Sequence, residues 1–170
     1  TNSIPRTYAA TTISVPTVWT AGSAPTYTLN GTLTISSTAT LWIQPGVTVN
    51  ASASTYKILA NGSLVARGTS TARVKFRPTQ ALCTESSTRR NDWAGIEAAT
   101  ATGIVSLEYA DILCAQYGVN FNTGTGSLAF TRILSGQTGI WTQGLTTRVI
   151  TPQVVGQNEL RGNVYGLYIQ

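Results

Sequence analysis

LEYADILCAQYGVNF (residues 107–121) and LAFTRILSGQTGIWT (residues 128–142) carry one pattern twice, about 21 residues apart. Leu107 matches Leu128, Tyr109 matches Phe130, and Ile112 and Leu113 match Ile133 and Leu134. Gln116 matches Gln137, Gly118 matches Gly139, and Val119 matches Ile140. A period near twenty residues is too long for a hairpin and too short for a domain, so each copy reads as one coil of a solenoid. At ~3.3 Å per residue a coil of this length is a circuit of roughly 70 Å, room for three short strands and their corners.

Outward from the repeat, toward the N-terminus, the chain is a series of short alternating runs. GTLTI (31–35) sets Leu33 and Ile35 on one face and Thr32 and Thr34 on the other; LWI (41–43), VTV (47–49), YKILA (56–60), SLVA (63–66) and RVKF (73–76) continue the theme. Gln44-Pro45-Gly46 and Asn61-Gly62 mark corners, since proline presets one turn position and glycine accepts the conformation of the next. Hairpins of an antiparallel sandwich are the competing arrangement. The tandem repeat weighs against it, and no segment is long enough for a helical crossover. Beyond the repeat, Gly139 and Gly166 lie about 27 residues apart, so residues 146–156 are expected to add a bulged or extra corner.

The run from 28 to 78, with IQPGVTV, GSLVARGT and the apolar RVKF, resembles the opening coils of right-handed parallel β-helix proteins of the pectin-lyase-like group. NDWAGIEA (91–98) is similar to their D-W-x-G-I coil, and YGVNF, TGIWT and YGLYI (165–169) to their later strands. The resemblance spans roughly residues 26–170 and implies an all-β, single-stranded right-handed parallel β-helix of about six to seven coils. It carries little about activity, because that superfamily holds lyases, hydrolases, adhesins and structural proteins.

Two segments depart from the rhythm. Residues 1–25 hold Pro5, Pro16 and Pro25 around TTISV, so they are expected to be extended and not a central strand, either capping the first coil or reaching another subunit. Residues 77–92 form a polar insertion that contains Cys83 and the Arg89–Arg90 pair, read as a loop leaving the solenoid. Cys83 and Cys114 are either a disulfide between neighbouring coils or two buried thiols.

The 170 residues make one domain, with 42% hydrophobic but only 10% charged residues, against roughly 25% charged in an ordinary soluble domain. Threonine and serine cover the surface instead, a β-protein composition. The net charge of +5 is dispersed and lacks the basic stripe with stacking aromatics that nucleic-acid binding requires. No apolar run approaches the ~18 residues of a membrane span. The start at Thr1, without an initiator, reads as a mature secreted chain freed of its signal peptide, placed extracellularly or at the cell surface.

For chemistry, the pectate lyases and polygalacturonases of the resembled group need clustered carboxylates. Here there are Glu85, Asp92, Glu97, Glu108, Asp111 and Glu159, none adjacent, and the repeat replaces Glu108 and Asp111 by Ala129 and Arg132. There is no histidine for a serine triad, and no phosphate-binding glycine loop. The expectation is a protein without catalytic residues, cofactor or metal, with a polysaccharide lyase or hydrolase as the residual enzyme. Trp19, Trp42, Trp93 and Trp141 can serve as a sugar-stacking platform, but for Trp42 and Trp93 the default is core packing. Thr-x-Thr pairs raise ice binding, yet the first three lie too close together to stack at the coil period. Asn30, Asn50 and Asn61 head N-x-S/T acceptors for glycans, all near turns.

The strand YGLYI near the C-terminus is apolar to its last residues. A solenoid end exposes core and a row of unpaired backbone groups, which invites another chain. The leading expectation is therefore a secreted structural subunit that assembles with itself, head to tail, into a filament or surface layer. The expected interface is Ile13, Val15 and Val18 at one end and Tyr165, Leu167, Tyr168 and Ile169 at the other. A carbohydrate-binding protein is the main rival.

Overall fold

The computed structural model describes residues 6–80, 83–85, 88–143 and 157–170, and these form an all-β parallel solenoid. Each coil runs through three flat faces, A, B and C. Face A stacks the first halves of β1 (Arg6–Ile13) and β3 (Thr26–Ile35), then β5 (Thr48–Ala51), β8 (Val74–Pro78), β11 (Ala110–Leu113), β14 (Arg132–Leu134) and β16 (Glu159–Arg161). Face B stacks the second halves of β1 and β3, then β6 (Lys57–Ala60), β9 (Trp93–Ala98), β12 (Ala115–Phe121), β15 (Thr138–Thr142) and β17 (Tyr165–Ile169). Face C stacks β2 (Thr17–Trp19), β4 (Thr40–Ile43), β7 (Ser63–Arg67), β10 (Ile104–Glu108) and β13 (Thr125–Ala129). Every pairing is parallel, and β3 bends at Asn30-Gly31 so that faces A and B share it.

The 21-residue repeat is the rung-to-rung register: Leu107 pairs with Leu128, Ile112 with Ile133 and Val119 with Ile140. Side chains alternate across each strand, so in-register positions form ladders through the coils. Leu33, Ile58, Ile96 and Val119 make one buried ladder; Ile35, Ala60, Ala98 and Phe121 make the next, where small residues leave room for the large ones. The longer coil before Tyr165 is also present, with Ile140 pairing with Leu167. The corner expected within 146–156 lies outside the described residues.

Corners are turned by single residues in the left-handed region. Tyr109 and Phe130 (φ 47° and 50°) turn face C into face A, and Cys114, Ser135 and Gly162 (56°, 57° and 69°) turn A into B. One αL residue redirects a strand without a loop; non-glycine residues accept it because both neighbours are locked into ladders. Gln44-Pro45-Gly46 closes with Val47 N–H donating to the Gln44 carbonyl and Gly46 at φ 80°, the signature of a type II turn.

Residues 6–19 are not an appendage. β1 and β2 are the first rung of their own chain, paired with β3 and β4, and Trp19, Tyr27 and Tyr8 stack across the N-terminal end of the core. Of the two roles open to this segment, covering its own first coil is the one the described residues adopt. Ile13, expected at a subunit interface, is corrected: it faces inward opposite Ile35 and is 7% exposed.

Candidate functional site

The densest constellation of polar groups lies on face A where it meets face C. Asp111 projects outward from β11, directly below Arg132 on β14, and Arg73 approaches from the coil beneath. Asp111 Oδ1 accepts from Arg73 Nε at 2.6 Å and Arg132 Nε at 2.8 Å, and Oδ2 from Arg132 Nη2 at 2.7 Å. Burial would raise this carboxyl, but the bonds and charges of Arg132 and Arg73 outweigh it and hold Asp111 below the usual carboxylate range. Asp111 in turn raises the pKa of Arg132. Arg73 also donates to the Ala110 and Phe130 carbonyls and lies 5.8 Å from the Tyr109 ring centre, while Tyr109 stacks on Phe130 at 4.5 Å and 3°. Arg73, Tyr109, Phe130 and Arg132 border an open groove of about 700 Å3 that Gln157, Asn158 and Glu159 also line. Both guanidiniums spend their donors on Asp111, backbone carbonyls or Glu85, so the cluster is a charge-paired ladder between rungs.

Four of the other carboxylates are paired as well. Glu97 binds Lys57 at 2.7 Å, Asp92 binds Arg89, Glu85 spans Arg132 and Arg161, and Glu159 binds Arg161. Among the described residues no group of three metal-ligating side chains occurs, and no helix is long and apolar enough to cross a membrane.

Cys83 and Cys114 form a disulfide, both cysteines buried against Leu113. Asn30 is exposed at the A/B corner, with its Oδ1 accepting from Ser52 Oγ, while Asn50 and Asn61 are half-buried. Val15 and Val18 are exposed, and so are Tyr165, Leu167, Tyr168 and Ile169 on β17.

The tryptophans divide. Trp93 is buried with its Nε1 donating to the Leu113 carbonyl, and Trp19 is buried in the N-terminal stack. Trp42, with core packing as its default, is 40% exposed: Leu41 and Ile43 point inward, so alternation drives the residue between them out. On face C it sits between Val18 and Val65, with Ser106 and Ser127 continuing the same outward row. The Thr-x-Thr pairs do not build a stacked array; Thr26 and Thr28 are followed on face A by Thr48 and Asn50 and then by Lys75 and Arg77.

Two features escaped the sequence reading. The Asp111/Arg132 substitution within the repeat looked like loss of a carboxylate and is a cross-rung ion pair; opposite charges at repeat-equivalent positions were the available signal. Asn158 and Asn163 each bridge rungs, accepting from the Thr131 and Gly136 amides and donating to the Leu128 and Ile133 carbonyls. No family model matches the chain, and neither does any curated protein or solved structure.

Proposed function

We propose that this chain is a structural β-solenoid subunit, extracellular or at the cell surface, whose β16–β17 rung receives the first rung of another copy, so that subunits add end to end. What supports this reading is the register of the last rung. Leu160, Leu167 and Ile169 hold core positions, aligned with Ile133, Ile140 and Thr142 one rung below. Yet they are 37%, 57% and 57% exposed, whereas Ile133 is buried. They are core side chains with no covering layer among the described residues. Among the described residues β17 pairs only with β15 and β1 only with β3, so each of these strands has one ladder edge unpaired there.

A parallel stack is directional, which makes its two end edges complementary and not identical. Their contact is heterologous and does not close, and the product is a filament. The first rung that would be received is mixed, with Tyr8 set among Arg6 and Thr11, so backbone ladder bonds carry much of the specificity. The buried disulfide suits an oxidising compartment. In this reading the chain resembles a non-enzymatic member of the pectin-lyase-like group.

Negative-stain electron microscopy and sedimentation velocity over rising concentration test the proposal. Wild type is expected to form fibres, and Leu167→Glu/Ile169→Glu to remain monomeric. Monodisperse wild-type monomers at every concentration and pH would sink it. Trp42 favours glycan binding as a second reading, since an exposed indole between two valines on an uncharged stretch of sheet can stack on a sugar ring. Quenching of tryptophan fluorescence by polysaccharide, abolished in Trp42→Ala, would support it; an unchanged spectrum and a blank glycan array would remove it.

A further inference from the structure

The insertion after β8 does more than leave the solenoid. It starts at the A/B corner of one coil and meets the same corner of the next three. Those corners are Cys114, Ser135 and Gly162, stacked in register, each in the left-handed region. Each holds at least one tie to the loop. Cys114 is bonded to Cys83; Ser135 Oγ donates to the Glu85 carbonyl at 3.0 Å; the Gly162 carbonyl accepts from Arg90 Nη2 at 3.2 Å. The Glu85 carboxylate adds Arg132 at 3.0 Å and Arg161 at 3.4 Å.

We infer that this insertion is a disulfide-set clasp that holds the β16–β17 rung in place, and that oxidation of Cys83 and Cys114 therefore governs whether that end is ordered enough to receive a partner. The second half rests on the end-to-end reading above. The reasons are energetic. Only the disulfide is covalent, and the Glu85–Arg161 pair is about half exposed on both sides, a setting in which ion pairs contribute little. Cys83 and Asp92 are the buried residues among the described part of the insertion, and Asp92 lies at its base, bonded to the Cys114 carbonyl. Of the described residues 83–85, Cys83 is therefore the buried anchor. β16 and β17 depend on it in turn, because their own apolar side chains are largely uncovered. Apart from ladder bonds, what fastens them among the described residues is the clasp, the bridging Asn158 and Asn163, and the contacts of Trp141 with Tyr168 and of Gln143 with Gln170.

Reduction by an external dithiol breaks the Sγ–Sγ bond, places two electrons and two protons on the cysteine sulfurs, and leaves the dithiol as a disulfide. Because both cysteines are buried, reduction has to pass through loop opening.

The test is hydrogen exchange on the full chain, oxidised, dithiol-reduced and alkylated, and as Cys83→Ser/Cys114→Ser. The amides of Tyr165, Leu167 and Ile169 are expected to exchange at least about tenfold faster without the disulfide, while β4 and β7 keep their protection. Unchanged protection at β17, or equal loss along every coil, overturns the clasp. Glu85→Gln/Arg90→Gln, with the disulfide intact, is expected to leave β17 closer to wild type than reduction does; the reverse order also overturns it. Exchange is read at monomer concentrations, so failure of end-to-end assembly leaves this result standing. Reduced protein that assembles as well as oxidised protein refutes the gating half alone.

Discussion

Replacing Asp111 by alanine tests whether the face A ladder is held by charge pairing or merely decorated by it. The Asp111 side chain is 3% exposed, Arg73 18% and Arg132 30%, so the ion triad is largely out of water. Breaking a buried pair by removing one partner costs about 3–5 kcal/mol, because the remaining charge is left uncompensated. Here the lower end applies, about 3 kcal/mol, since Arg132 keeps Glu85 and Arg73 keeps two backbone carbonyls. Urea denaturation would read this as a fall in midpoint at unchanged slope. Arg73→Met/Asp111→Leu/Arg132→Met should recover most of the loss, because it removes all three desolvation costs together. The sign with pH also follows. The folded carboxyl titrates below its unfolded value of about 3.9, so its stabilisation is complete above that pH and disappears as pH falls through the folded value. The gap between wild type and Asp111→Ala should therefore close in acid. A loss under about 1 kcal/mol, or a gap unchanged between pH 5 and pH 2, would refute the reasoning.

Gly95→Ala should cost more than about 3 kcal/mol or prevent folding, because φ is 103° and a Cβ there collides with the Tyr117 carbonyl; a near-native denaturation curve would show that β9 and β12 pair otherwise. Trp93→Ala should cost about 3–5 kcal/mol, having lost a buried indole and its bond to Leu113, while Trp42→Ala should cost under about 1 kcal/mol. Equal losses at the two positions would mean that face C is registered one residue away from the arrangement described.

The legible parts of this sequence are those where neighbours in space are repeats in sequence. Leu107 and Leu128 revealed their pairing because a parallel coil returns each position onto its own counterpart, and the same logic extended to the longer coil before Tyr165. Trp42 and Trp93 were harder. Both lie in strands, but only Trp42 is flanked by two inward residues, and aromatic size suggested a core role that alternation overrides. The Asp111 site was obscured because its third member, Arg73, belongs to a coil separated from the repeat by the insertion. The N-terminal segment was ambiguous for another reason: prolines exclude a central strand but are compatible with a first rung, where one edge has no partner.

By itself the sequence determined the solenoid, its period, its inward ladders and the two places where the period lengthens, because hydrophobic alternation and a fixed repeat are properties of local order. Only the tertiary structure decided which residues meet across coils: that Cys83 reaches Cys114 and that the insertion ties three successive corners. Those are contacts between segments that share no periodic relation. Their distances are set by how an irregular loop folds back along the stack, and local pattern carries no record of that path.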